Sequence, residues 1–246
     1  AGAEHIVSTL LQAYCREHME LFIVRRNFNS IYADGSDLLQ QLQAQTKVTL
    51  FEQDKETGLQ ELFERLMAIM GERMQLRNEF VQQNGLTRGD PQNTVRAFEY
   101  IHAHSTPLMV IFENYYEFAK SLYDGQAVMF AELFRAQDPN TTSKKNNGYG
   151  YNIYYTACFG PGEYTLTAAQ TPMADCFNPQ KFTLMFGGQL DKCGAVPLPR
   201  DYLAINEPDE HYNHCVMYYQ GRLAGLSLPC GELVHVEPDP DEVPII

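Results

Sequence analysis

The densest group of residues with capacity for chemistry lies at positions 206–215. This stretch, Asn-Glu-Pro-Asp-Glu-His-Tyr-Asn-His-Cys, combines imidazole, carboxylate and thiol side chains. Such groups are common ligands of divalent metals, so Glu210, His211 and His214 form a candidate polar site. The His-x-x-His spacing differs from the His-Glu-x-x-His pattern of helical zinc sites, and Pro208 favours a loop. We therefore predict a solvated acidic loop with no bound metal and no cofactor.

Thiols supply a second kind of chemistry. Five of the 6 cysteines lie after position 150; these disulfide candidates are Cys158, Cys176, Cys193, Cys215 and Cys230. In an oxidising compartment they predict two disulfide bonds and one leftover thiol, or three bonds if Cys15 takes part. In a reducing compartment they would be small buried apolar side chains. Because no pair has the Cys-x-x-Cys spacing of structural zinc sites, the oxidised interpretation is favoured, and with it an extracytoplasmic location: periplasmic, cell-surface or secreted.

A cysteine and a histidine can also act together as nucleophile and general base. This chemistry requires a free thiol, so it competes with the disulfide interpretation. A cysteine-dependent hydrolase or transferase therefore stays an alternative, and we assign no catalytic residue. The pairs would be drawn from Cys158, Cys193 and Cys215 on one side and His211, His214 and His235 on the other.

Tyrosine is abundant, with 15 residues against no tryptophan. Several tyrosines fall in one predicted strand, in which Tyr149 and Tyr151 share a face. An exposed row of tyrosines offers rigid contact area with polar tips. We therefore name Tyr149, Tyr151 and Tyr155 as a candidate contact surface for another protein. The alternative places one face of the strand in the core.

The elements that must position these groups differ between the two halves of the chain. Apolar residues at helical spacing predict an antiparallel bundle of about five helices over residues 1–137. Capping residues and proline mark most of the starts. The predicted helices follow Val7 to Ile31, start after the Ser36 cap, run from Thr57 to about Gln83, start at Pro91, and start at Pro107 with Leu108 to Phe118 on one face.

Residues 138–148 are almost devoid of apolar side chains and predict a linker. Residues 149–246 then predict a small antiparallel sheet with probable disulfides and an acidic C-terminal tail. The predicted strands are 149–159, 164–168, 181–186, 215–219, 223–228 and 232–236. The sequence as a whole thus predicts an α+β fold in which a helical bundle precedes a cysteine-containing antiparallel β domain.

One short region resembles a known family. The run from Gly162 to Ala168, the pair Asp175-Cys176 and the run from Phe182 to Leu184 resemble the sheet region of type IV pilins. The resemblance implies a strand at 164–168 and a disulfide bond from Cys176, with Cys193 as the candidate partner. The glycine that usually follows the pilin cysteine is absent, and we assign the chain to no family.

The formal net charge of −13 limits the choice of partner. Clustered Lys and Arg, which bind phosphate backbones, are absent from the sequence, so we expect no nucleic acid. No apolar run is long enough to span a bilayer, so we expect no membrane insertion. The leading prediction is a non-enzymatic, extracytoplasmic protein-interaction or assembly module. The first alternative is a cytoplasmic acidic protein, such as an immunity protein, a chaperone or an effector domain, that binds a basic protein.

Overall fold

A computed structural model describes residues 19–26, 28–53, 55–87, 90–134, 149–160, 162–170, 173, 176, 182–186, 193–199, 214–219 and 221–227. These residues form six α-helices, seven strands and a short 3-10 helix at Tyr149–Tyr151. In chain order the elements are β1 (Glu20–Arg25), α1 (Asp37–Gln45), β2 (Val48–Glu52), α2 (Glu56–Gln83), α3 (Pro91–His104), β3 (Leu108–Phe112), α4 (Tyr115–Ser121), α5 (Asp124–Phe134), β4 (Ile153–Ala157), α6 (Glu163–Gln170), β5 (Phe182–Phe186), β6 (His214–Tyr219) and β7 (Arg222–Ser227).

The larger sheet is parallel and has the strand order β2-β1-β3-β4. Its register places Ile23 between Leu50 on one side and Ile111 on the other. All five residues of β3 are buried, as expected for a parallel strand that is covered on both faces. The chain moves outward from β1 to β2 and then continues on the other side of β1, so the strand order reverses between β1 and β3.

Two apolar clusters cover the two faces of this sheet. The first joins alternate residues of the strands to α2, α3, α4 and α5 and includes Phe22, Val110 and Phe112. The second packs Leu21, Ile23, Met109 and Ile111 with residues of α1 and with Tyr32. The parallel sheet with its helices therefore forms a layered α/β structure.

The predicted helical bundle followed by an antiparallel sheet is wrong, because two segments predicted as helices are strands. Leu21–Val24, placed within the first predicted helix, lies in β1, and Leu108–Phe112, placed at the start of the fifth, forms β3. A short continuous apolar run fits a buried helix and a buried strand equally well. Hydrogen bonding between distant strands decided the outcome, since β1 pairs with both β2 and β3.

The predicted starts of several helices are confirmed. The Ser36 hydroxyl accepts the backbone N–H of Leu39 at 3.3 Å, and the Asp90 carboxylate accepts the N–H of Gln92 at 2.9 Å. Helix α2 covers Glu56–Gln83, as its periodicity predicts, but its N-cap is Lys55, which makes no side-chain capping bond. The Thr-x-x-Gln pattern at 57–60 therefore located the helix without acting as its cap.

The segment after residue 148 also differs from the prediction. Residues 164–168, predicted as a strand and matched to a pilin strand, lie in helix α6. The strand predicted at 149–159 is shorter, and as β4 it extends the parallel sheet beside β3. The predicted domain ranges 1–137, 138–148 and 149–246 stay a prediction, since residues 135–148 lie outside the described part of the chain.

The strands β5, β6 and β7 form a separate antiparallel sheet, close to where the sequence predicts three strands. Gly221, with φ at +84°, lies between β6 and β7, where only glycine readily adopts this backbone conformation. A small cluster of Met185, Val196, Val216 and Tyr218 is buried here. The strand predicted at 232–236 and the acidic tail lie outside the described residues.

The helices that the structure describes include none with both the length and the apolar character needed to cross a membrane. The longest of them, α2, has 28 residues, but charged and polar residues recur along it.

Candidate functional site at the carboxyl edge of the parallel sheet

The carboxyl ends of the parallel strands meet at one edge of the sheet. In open α/β sheets, ligands bind outside this edge, at the point where the strand order reverses. That point lies between β1 and β3 in this protein. Polar residues follow each of the neighbouring strands directly: Arg26 follows β1, Glu113 follows β3, and Cys158 follows β4. This edge is therefore the candidate functional site.

Glu113 is the central group of the edge. Its side chain is only 3% exposed, and its two carboxylate oxygens accept the backbone N–H groups of Arg26 at 2.7 Å and Ile31 at 2.8 Å. The Arg26 guanidinium lies 3.6 Å from the same carboxylate. A buried carboxylate needs such donors, because they replace its lost hydration. Glu113 thereby fixes the loop between β1 and α1.

A second carboxylate organises the loop after β4. Glu163 accepts the backbone N–H of Gly160 at 2.5 Å and lies 3.3 Å from the amide nitrogen of Asn114, which donates to it. Asn114 also caps α4, because its side-chain oxygen accepts the N–H of Glu117 at 2.9 Å. The loop between β4 and α6 is thus joined to the start of α4 through two side chains.

The carboxylates of Glu113 and Glu163 already accept hydrogen bonds from the backbone N–H groups that an anionic ligand would need. Phosphate sites at such edges use backbone N–H groups of loops and helix starts. Here the N–H groups of Arg26 and Ile31 are bound to Glu113, and that of Gly160 is bound to Glu163. A phosphate would have to displace the protein's own negative charges. The arrangement disfavours a phosphorylated ligand at these positions.

Arg25, a second cation at this edge, is also paired with carboxylates. Arg25 donates to the carboxylate of Asp34 at 2.8 Å and to the backbone oxygen of Tyr32 at 2.9 Å, and its guanidinium lies 3.5 Å from Glu52. The hydrogen bond from Arg25 lowers the pKa of the Asp34 carboxyl group. These contacts tie the β1–α1 loop to the end of β2.

Cys158 and Tyr32 bring two weakly acidic groups to the same edge. Burial raises the pKa of the Cys158 thiol to about 11, and the negative charge of Glu113 adds to this effect. Burial also raises the pKa of the Tyr32 hydroxyl, with smaller contributions from Cys158 and Glu113. A nucleophilic cysteine needs a lowered pKa, so the surroundings of Cys158 disfavour thiolate chemistry at neutral pH.

Four of the five predicted disulfide candidates are free thiols in the structure. Cys158, Cys176, Cys193 and Cys215 are each unbridged, which corrects the expectation of disulfides for these four residues. Cys176 and Cys215 are buried, as expected for small apolar side chains. The partnership of Cys176 with Cys193 that the pilin resemblance implied is therefore not formed. Cys230 lies outside the described residues.

The predicted polar site falls mostly outside the described residues. Glu210 and His211 are not among them, and His214 is the first residue of β6. Within the part of the chain that is described, no group of three or more His, Cys, Asp or Glu side chains is arranged to hold a metal ion.

Two of the three tyrosines in the predicted contact surface have buried groups. Tyr151 is 2% exposed and packs edge-on against Phe98, with ring centroids 5.9 Å apart. The hydroxyl of Tyr155 is buried, and burial raises the pKa of this group. Tyr149 begins the 3-10 helix, and its side chain is not described.

Sequence reasoning missed Glu113 and Glu163, which organise the edge. Each comes shortly after a segment that forms a strand of the parallel sheet. Glu113 comes directly after the apolar run 108–112, and Glu163 follows the Gly-Pro-Gly turn after β4. A carboxylate immediately after a fully apolar five-residue run is the pattern that could have located this site.

Comparison of the chain with protein-family models, with curated proteins and with solved structures finds no match. The function is therefore argued from the geometry and charge of the described residues. Two features stand out: a carboxyl edge whose donors are bound by the protein's own carboxylates, and a net charge of −13 for the whole chain.

Proposed function

We propose that the chain is a non-enzymatic protein-interaction module that binds a basic protein partner. The observation that carries this proposal is the filled carboxyl edge, where Glu113 and Glu163 bind the backbone N–H groups that a substrate anion would use. The raised pKa of Cys158 further disfavours a thiol nucleophile. We therefore assign the function to the outer surface, since the chain carries a net charge of −13.

Charge of this size favours association with a basic protein. Opposite net charges accelerate the encounter of two proteins, and salt weakens this effect. Phosphate backbones would be repelled by the same charge, which supports the expectation of no nucleic acid. Arg25, which ends β1, and Arg26, which follows it, are both engaged with carboxylates and add little free positive charge.

The extracytoplasmic location is a separate proposal. An extracytoplasmic location was inferred from disulfides, and the four described cysteines are free. The protein-interaction role does not depend on the compartment, because it rests on charge and on the filled carboxyl edge. A count of free thiols in purified, air-exposed protein under denaturing conditions would separate the two locations: six free thiols favour a reducing compartment.

Binding to model helices tests the proposed role. The probe is a fluorescein-labelled peptide of about five helical turns, with Leu on one face and Lys on the other. The control replaces every Lys with Glu. We expect fluorescence anisotropy to show binding of the Lys peptide only, with affinity falling steeply between about 50 and 500 mM NaCl. Equal binding of both peptides, or no binding of the Lys peptide at low salt, would overturn the proposal.

A further inference from the structure

The outer face of helix α2 combines two half-exposed methionines with an excess of exposed carboxylates. Its inner face is buried through Leu59, Leu62 and Leu66. On the outer face Met67 is 49% exposed and Met74 is 46% exposed. The two methionines are seven residues apart, so they lie on the same side of the helix about 10 Å from each other.

Small residues lie between these methionines. Ala68 and Gly71 are both exposed, and a side chain added at Gly71 would meet no atom within 4 Å. A second backbone can therefore approach α2 closely at this position, with Met67 and Met74 on either side of the contact. Methionine suits such a surface because its flexible thioether adapts to different partners.

One side of this strip is acidic. Helix α2 is described throughout, and its exposed carboxylates outnumber its exposed cations: the cation Arg65 is already bound to Glu61 at 2.7 Å. The buried Arg73 and Arg77 contribute no charge to the outer face. The exposed carboxylates of the helix are Glu56, Glu61, Glu64, Glu72 and Glu79.

We infer that the outer face of α2 is the docking site for a basic amphipathic helix of another protein. The apolar side of that helix covers Met67 and Met74, its backbone crosses α2 at Gly71, and its Lys or Arg residues meet Glu64 and Glu72. The complementary charge selects a basic occupant over a second copy of this acidic chain. The inference rests on the proposed function and assigns it a surface.

Paired substitutions on two helices test this site with the Lys peptide described above. The first variant, Met67→Gln with Met74→Gln, removes the apolar contact. Its matched control changes Met129→Gln with Val128→Gln on α5, which are 50% and 55% exposed. We expect the α2 variant to lose about tenfold or more in affinity, as hot-spot contacts do, and the α5 control to bind within about twofold of wild type.

A steric variant and a charge variant complete the test. Gly71→Leu places a bulky side chain at the crossing point while improving helix propensity, so it should fold and still lose binding. Glu64→Gln with Glu72→Gln should weaken binding and flatten its salt dependence, whereas Glu117→Gln with Glu132→Gln on α4 and α5 should change both less.

The possible outcomes separate this inference from the proposed function. If the Lys peptide binds wild type and all α2 variants equally, the docking site is wrong and the proposed function stands. If the Lys peptide does not bind wild type at all, the proposed function is wrong, and the docking site that rests on it is wrong as well. Thermal unfolding of each variant, monitored by circular dichroism, identifies any loss of binding that is caused by unfolding instead.

Discussion

The Glu113 carboxylate accepts the backbone N–H of Ile31 at 2.8 Å, although the two residues are separated by 82 positions in sequence. This bond joins the end of β3 to the loop that follows β1. Because the Glu113 side chain is almost completely buried, the bond is shielded from water. The geometry of the loop between β1 and α1 thus depends on the Glu113 side chain.

Replacing Glu113 with Gln should destabilise the protein. The amide keeps the shape but loses the charge, and one of its two ends becomes a donor that faces a backbone N–H. Hydrogen bonds to charged groups contribute about 1.5–3 kcal/mol each, so we expect a loss of about 2–3 kcal/mol in the free energy of unfolding measured in urea. The control is Glu117→Gln, whose carboxylate is about half exposed and forms a surface pair with Lys120. Equal stability of the two variants would refute the role of Glu113.

The raised pKa of the Cys158 thiol should make stability fall at alkaline pH. Its pKa rises from 9.0 in the unfolded chain to about 11 in the folded protein, so the native state holds the proton more tightly. The resulting stabilisation is complete below pH 9 and is lost as the pH rises towards 11. Each pKa unit corresponds to about 1.4 kcal/mol, and partial exposure of the residue reduces this value. The curve of unfolding free energy against pH should be flatter for Cys158→Ala than for wild type over this interval, and parallel curves would contradict the assignment.

Arg73 should be a strong contributor to stability at the other end of the sheet. Its guanidinium donates to the backbone oxygens of Tyr151 at 2.5 Å and Thr106 at 2.6 Å, which joins α2 to the start of β3 and to the 3-10 helix. Arg73→Leu leaves both oxygens without this donor, and we expect a loss of about 2–4 kcal/mol in guanidinium chloride unfolding. Arg65→Leu, on the exposed face of the same helix, should cost less than about 0.5 kcal/mol.

Two glycines of α2 should respond in opposite ways to alanine. A Cβ at Gly58 would lie 2.7 Å from the backbone oxygen of Glu52, which cannot move without disturbing β2. Gly58→Ala should therefore destabilise the protein by about 1–3 kcal/mol. Gly71→Ala meets no neighbour and should stabilise it by about 0.5–1 kcal/mol through better helix propensity. Thermal unfolding of both variants checks the sign, and destabilisation by Gly71→Ala would show that its outer face is already packed.

The sequence was informative where local signals decide the structure. Spacing and residue type predicted the Ser36 and Asp90 caps, the long amphipathic helix α2 and the apolar strands β5 to β7. The sequence was misleading where pairing between distant segments decides. Leu108–Phe112 begins after a Ser-Thr-Pro sequence that suits a helix start, and only its place between β1 and β4 makes it a strand.

The candidate site could not be found from the sequence because it also depends on pairing between distant segments. Cys158 was recognised as a reactive residue type, but its burial near Glu113 depends on the neighbouring carboxyl ends of β3 and β4. Tyr164–Ala168 has strand-like residues and still forms α6, in which the Thr167 hydroxyl donates to the backbone oxygen of Glu163 at 2.8 Å. Local propensity was overridden by tertiary context at each of these places.

The order of the parallel strands also sets a sequence of events during folding. Leu21 pairs with Val48 on one side and with Met109 on the other, so one neighbour is close along the chain and the other is remote. Closing the longer loop costs more entropy, which slows the pairing of β1 with β3. While only β1 and β2 have emerged from the ribosome, the edge of β1 that later pairs with β3 has no partner strand. The nascent chain therefore presents an unpaired strand edge, which can pair with other chains, until its third strand emerges.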